Sequence, residues 1–226
     1  MNKILILHGW TYSLAKWDAL VLLLRQNGFD TKILEIPGLT LKNDEIWDLE
    51  KYSEWLDKKI GGSKVILIGH SNGGRIASYY TSLHPEKVSR LVLIDTAGIY
   101  HKDIFIQTKR FVFEFAAKLG KKITHSETMK RLLYKLARES DYNKATPNMR
   151  KSMLNLIKQD LVESFKKIIV KTIIIWGIDD KVTPIGDARL IHGFIKDSKL
   201  EIVKGARHSP FFTHPMEVFE IIKNGI

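Results

Sequence analysis

Six short runs of Ile, Leu and Val punctuate the 226-residue chain, at residues 3–7, 31–36, 64–68, 90–94, 171–176 and 199–203. Each is too short for a core helix and nearly unbroken by polar residues, which suits strands buried on both faces of a parallel sheet. Between most of them lie segments whose apolar residues recur every three or four positions. A parallel strand cannot be joined to the next by a tight turn, so such segments must be crossover helices, right-handed and packed on both faces of the sheet. The pattern predicts an α/β fold with a mostly parallel sheet of about six strands.

The helical segments carry their own punctuation. Ser13 is placed to cap a helix with Leu14, Trp17, Val21 and Leu24 on one face, and Gly28 to close it. A second stripe, Ile46, Leu49, Ser53, Leu56 and Ile60, ends at Gly61-Gly62. A third helix starts after Ser71 and stops before His84-Pro85; two more are expected at 185–195 and 215–223. Between Ile94 and Lys171 the alternation stops and only helical periodicity remains. This divides the chain into a core, residues 1–97 and 171–226, and an all-helical cap inserted at 98–170.

Charge marks the same boundary. Residues 101–171 hold 17 of the 36 Lys and Arg but only 7 of the 25 Asp and Glu, nearly the whole of the net charge of +11. The basic residues recur opposite the apolar stripe, as on solvated helix faces, and no recognition motif accompanies them, which argues against nucleic acid. The absence of cysteine excludes disulfides, a thiol nucleophile and thiolate metal sites. No apolar run approaches the roughly 18 residues of a membrane span, and residues 3–7 are too few for a signal-peptide core. A soluble, cytoplasmic protein without a transmembrane segment is expected.

The chemistry concentrates at the carboxyl ends of the runs. Gly69-His70-Ser71-Asn72-Gly73-Gly74 lies between the third run and the third helix. A G-x-S-x-G there is a nucleophile elbow: a turn tight enough to need glycines two residues either side, with helix N–H groups aimed at the serine. It lacks the lysine of a phosphate-binding loop and the spacing of a dinucleotide fingerprint, so no cofactor is expected. Such a serine needs an acid and then a base further along the chain. Trp176-Gly177-Ile178-Asp179-Asp180 follows the fifth run and Gly205-Ala206-Arg207-His208 the sixth, while Leu7-His8-Gly9-Trp10 follows the first. No histidine pair with nearby carboxylates has metal-ligand spacing, so no metal is expected either.

Together these motifs resemble the α/β-hydrolase superfamily, in its single-domain serine esterase form with a helical cap. The resemblance runs from Lys3 to the last helix and is interrupted at the cap. It implies Ser71 as nucleophile, His208 as general base, Asp180 as the acid that orients it, and the backbone N–H groups of Trp10 and Asn72 as the oxyanion hole. Asp95, at the end of the fourth run, and Asp179 are the other candidate acids; His214 competes for the base. His8 and His70 read as structural, and His84, His101, His125 and His192 as exposed or loop residues. Trp10, Phe105, Phe111, Met149 and Met153 are candidates to line the substrate pocket. Phe113 and Phe115 share that stripe.

A serine nucleophile implies acyl transfer to water, and an apolar pocket suits small to medium carboxylic esters or lactones. Two alternatives accompany this expectation. One is an ester on an acidic carrier protein, since the His-Gly-Trp motif with a basic cap is similar to pimeloyl-ACP methyl ester esterases; the other is a hydrolase-fold ligand receptor with slow turnover. If the cap roofs the site, its positive field should steer anionic substrates. kcat/KM for an anionic ester should then fall between 0.1 M and 1 M salt, as the Debye length shrinks from about 10 Å to about 3 Å. A size-matched neutral ester should hardly change. Equal salt dependence of the two would reduce the charge to a solvated surface.

Overall fold

In the computed structural model, which describes residues 3–11, 13–41, 45–101 and 146–226, the six apolar runs form one sheet. Its strands are β1 (Lys3–Leu7), β2 (Asp30–Leu34), β3 (Val65–His70), β4 (Val88–Ile94), β5 (Thr172–Gly177) and β6 (Ser198–Val203). They lie in the order β2-β1-β3-β4-β5-β6, and every neighbouring pair is parallel. The helices are α1 (Asp18–Gln26), α2 (Leu49–Ile60), α3 (Asn72–Leu83), α4 (Pro147–Lys158), α5 (Val162–Lys167), α6 (Ile185–Phe194), α7 (Pro210–Thr213) and α8 (Pro215–Gly225).

The two-residue repeat of each strand sorts its side chains between two cores. Leu5 and Leu7 of β1, Leu67 of β3, and Leu91 and Leu93 of β4 enter one core, with α2, α3, α5 and α6. Ile4 and Ile6, Ile66 and Ile68, and Val92 and Ile94 enter the other, with α1, α7 and α8. Each such side chain, fully removed from water, contributes about 1.5–3 kcal/mol. The central strands are therefore apolar over most of their length, with polar residues such as Ser89, Arg90 and Thr172 towards their amino ends. β2 and β6 depart from the expected two-sided burial, because each closes an edge and leaves three of five and five of six residues, respectively, exposed or partly so. An apolar run does not disclose that it will lie at an edge.

Side-chain caps start α2 and α4, but the expected cap of α1 is absent. Asp48 caps α2 by accepting from the Lys51 N–H at 2.9 Å, and Gly61 closes it at φ +71°. Thr146 caps α4 in the same way, with Pro147 in its first turn. Ser13 caps nothing: a 3₁₀ turn at Ala15–Trp17 leads into α1, and the Ser13 N–H donates to Thr11 Oγ1 instead. Ile46, expected on the α2 stripe, precedes that helix and is exposed.

Two helices, α4 and α5, occupy the described end of the stretch between β4 and β5. Residues 102–145, the larger part of the expected cap, lie outside the described residues. Among the described residues no helix is long and apolar enough to cross a membrane.

From β1 the chain moves to β2 on one side and returns to β3 on the other. The carboxyl ends of β1 and β3 thus flank a switch point, where open α/β sheets form crevices. Here α3 is seated against β1 without room for side chains. A methyl on Gly73 would overlap the Leu7 carbonyl oxygen, and one on Gly69 would lie 2.6 Å from Gly74 Cα. Gly73→Ala should therefore lose roughly 1–3 kcal/mol or more, read as a fall in Tm. Gly62→Ala, whose new methyl would meet nothing, should stay within about 0.5 kcal/mol of the parent.

Candidate active site

Ser71 joins β3 to α3 with φ 53° and ψ −120°. A side chain at positive φ costs about 1–3 kcal/mol and persists only where its surroundings enforce it. Here Ser71 N–H donates to the Ile94 carbonyl at 3.2 Å, and Ser71 O accepts from Arg75 N and Ala97 N, both at 3.2 Å. The turn is anchored to β4 on one side and continues into the helix on the other. Its hydroxyl does not cap α3, so it is left for another partner.

That partner is His208. Its Nε2 lies 3.1 Å from Ser71 Oγ, and its Nδ1 lies 2.7 Å from Asp180 Oδ2. A carboxylate only accepts, so Nδ1 carries the proton and Nε2 is free to accept from the serine hydroxyl. Asp180 is itself held by three donors: Val182 N–H at 2.7 Å and Thr183 N–H at 3.2 Å on Oδ1, and Thr183 Oγ1–H at 2.6 Å on Oδ2. Burial alone would raise its pKa. The His208, Thr183 and Val182 hydrogen bonds and the His208 charge together outweigh that and hold it below the usual carboxylate range. An acceptor nitrogen facing a hydroxyl, backed by a fixed anion, can remove a proton from Ser71 and bear the resulting charge.

The remaining histidines beside the site stay neutral. His70 Nε2–H donates to the His208 carbonyl at 2.7 Å, and burial, then the neighbouring His208 charge, push its pKa down to about 3. His8 accepts from Thr40 Oγ1 at 2.8 Å through Nε2, and burial lowers it to about 4. Both hold loops without adding charge beside His208. His70, Asp95 and His208 bring one donor atom each within 4.8 Å of one another, a spacing a cation could bridge. Both His208 nitrogens and His70 Nε2 are already committed to protein partners, however. Asp179 is exposed, and His214 lies at the start of α8 with Nδ1 on Thr213 Oγ1.

Two cavities meet at Ser71. One, of about 190 Å³, is lined by Gly9, Trp10, Trp17, His208 and Phe211 among others; the second, of about 180 Å³, lies on the α3 and α4 side. Ser71, Asn72, Met153 and Val182 border both. Asn72 is the first residue of α3, where the N–H groups have no acceptor within the helix. Met149, one turn before Met153, is fully buried. Phe105 and Phe111 lie outside the described residues.

Three residues of the second cavity carried no signal in the sequence. Arg75 follows Ser71 by one helical turn and is buried. His101, expected to be an exposed or loop residue, places Nε2 2.8 Å from Oδ1 of the buried Asp187 at the start of α6. The pair is 86 residues apart in the chain, and no local spacing could have announced it.

Asp95 is fully buried at the end of β4, at φ 41°, with Oδ1 accepting from Gly177 N–H at 2.9 Å. Burial first, and then the Asp180 charge, raise its pKa to about 8 against an opposing pull from Gly177. The folded protein therefore keeps a proton here that the unfolded chain loses near pH 4. Folded binds more protons than unfolded between about pH 4 and 8, so this group's stabilising contribution falls as pH rises through that window. Asparagine keeps the acceptor for Gly177 and cannot ionise. The Tm of Asp95→Asn minus that of the parent should grow from pH 5 to pH 8; a flat or falling difference would mean that Asp95 is ionised in the folded protein.

Comparison with known proteins adds the family. The model of the alpha/beta hydrolase fold matches residues 2–215. The chain is 26% identical to the pimeloyl-[acyl-carrier protein] methyl ester esterase of Wigglesworthia glossinidia brevipalpis, over 98% of this chain and 92% of that one. It is 25% identical to the biotin biosynthesis bifunctional protein BioHC of Teredinibacter turnerae over 99% of this chain, but spans only 44% of that protein's length. Among solved structures, an esterase from Exiguobacterium antarcticum superposes with a TM-score of 0.76 at 22% identity, over 99% of this chain and 91% of that one, a likeness of fold. With its parallel sheet, its serine turn at the switch point and this match over most of its length, the chain belongs to the alpha/beta hydrolase fold family.

Proposed function

We propose that this chain hydrolyses carboxylic esters, of small to medium acyl groups and including lactones, through an acyl-enzyme on Ser71. The observation that carries the reading is the unbroken relay Ser71 Oγ–His208 Nε2 and His208 Nδ1–Asp180 Oδ2, starting from a serine held at positive φ. Ser71 Oγ attacks the ester carbonyl while His208 takes its proton, and the Asn72 and Trp10 N–H groups receive the developing oxyanion. His208 returns the proton to the departing alcohol. It then activates water, which releases the acid and restores Ser71. Asp180 keeps the imidazole in the tautomer that each step needs. A second reading, a methyl ester borne on a carrier protein, is favoured by what the Wigglesworthia relative's name says it acts on.

Ser71→Ala should lose several orders of magnitude in kcat without unfolding, and a fluorophosphonate should label Ser71 alone. Undiminished labelling of Ser71→Ala would end this reading. Asp180→Asn should cost about 10⁴-fold in kcat, and Asp95→Asn far less; the reverse order would move the acid to β4. Hydrolysis of a carrier-bound methyl ester much faster than of the free ester would select the second reading.

A further inference from the structure

We propose that the cavity between Ser71 and Arg75 is an anion subsite that receives a carboxylate carried by the substrate. The preferred esters would then be those with a free carboxylate a few bonds from the scissile carbonyl. This rests on the reading of Ser71 as nucleophile, although occupancy of the subsite can be measured without turnover.

Arg75 is 3% exposed and is among the residues that line the cavity. Nη1 donates to the Gln159 carbonyl at 2.5 Å, while Nε is buried with no partner. Burial lowers its pKa only to about 10, so it stays charged at neutral pH. The two carboxylates nearest in effect are engaged elsewhere. Asp187 is paired with His101, and Asp160 accepts from Tyr100 N–H at 3.0 Å and Val162 N–H at 2.8 Å. Among the described residues no carboxylate forms an ion pair with Arg75.

A buried cation whose neighbouring carboxylates, Asp160 and Asp187, are bonded to other groups keeps donor capacity unused, and a planar guanidinium fork matches a carboxylate in two parallel hydrogen bonds. The rest of the cavity suits the chain that would carry such a group. Ala97, Ile99, Ile157 and Met153 give apolar walls, Thr183 adds a hydroxyl, and the Asp187 carboxylate that also borders the cavity is bonded to His101. Arg75 stands one turn, about 5.4 Å, along α3 from Ser71, so the carboxylate and the reacting carbonyl can be held at once. A purely structural Arg75 would tie α3 to the turn after α4 and favour no substrate over another. The carboxylate could sit on either arm of the ester.

Two pairs of substrates distinguish the arms: monomethyl glutarate, charged on the acyl side, and acetylated γ-hydroxybutyrate, charged on the alcohol side. Each is compared with the neutral isostere in which isopropyl replaces the carboxylate. In about 1 M salt, which screens long-range steering, kcat/KM should favour the charged member of one pair at least tenfold. Arg75→Met should reduce that ratio by roughly 10–100-fold, with Arg75→Lys between. Should Arg75→Met fail to fold, the parent and Ser71→Ala remain decisive. Calorimetry on Ser71→Ala should show the charged member of that pair binding at least tenfold tighter than its isostere. Ratios near one in both pairs, with equal binding to Ser71→Ala, would overturn the subsite. Turnover surviving Ser71→Ala, with the binding preference intact, would instead overturn the nucleophile and leave the subsite standing.

Discussion

The close seating of α3 against β1 is the contact on which the arrangement around Ser71 depends. Gly69, Gly73 and Gly74 bring helix and strand backbones nearer than any side chain permits, and a methyl on Gly74 would overlap Thr96 Oγ1. That approach leaves the intervening residue no relaxed conformation, and Ser71 takes φ 53°. Hydrogen bonds to Ile94 and Ala97 tie the turn to the end of β4. The energy that holds the serine out is therefore drawn from two hydrophobic cores, through backbone packing, and not from any contact of the hydroxyl itself.

Around this turn the protein keeps ionisation unequal among closely spaced groups. Asp180 has three donors besides His208 and is held as an anion, whereas Asp95, with one donor and deep burial, is pushed to hold its proton. His70 and His8 are kept neutral by burial. Two carboxyls and three imidazoles at one sheet edge would otherwise compete for the same protons. Differences in burial and donor number leave Asp180 as the fixed charge that His208 meets.

Legibility in the sequence followed the range of the interaction. The strands, the crossover helices and the turn at Ser71 are set by residues adjacent in the chain, and they stand where the apolar runs and glycines put them. Asp180 and His208 were legible because each follows a strand by a short, recognisable loop, although their meeting is a tertiary event. Edge status of β2 and β6 was not legible, because it depends on which strands lie alongside. Ser13 misled because a good capping residue was outweighed by a 3₁₀ turn that begins the helix differently. The His101–Asp187 pair and the surroundings of Arg75, whose Nη1 meets the Gln159 carbonyl while Nε has no partner, come from distant segments and leave no local pattern.

The joint between β4 and β5 bears on how the chain assembles. Leu91 pairs with Thr172 across the longest stretch of chain separating any two adjacent strands. Closing a long loop adds little to its equilibrium cost, about 0.6 kcal/mol for each doubling of length, but contacts so remote in sequence form slowly. Ser71 lies before that joint, Asp180 and His208 after it. The serine turn can be complete in a nascent four-stranded sheet of β1 to β4 while His208 and Asp180 are still unplaced. Assembly thus has a built-in order, in which the relay closes only with the last two strands.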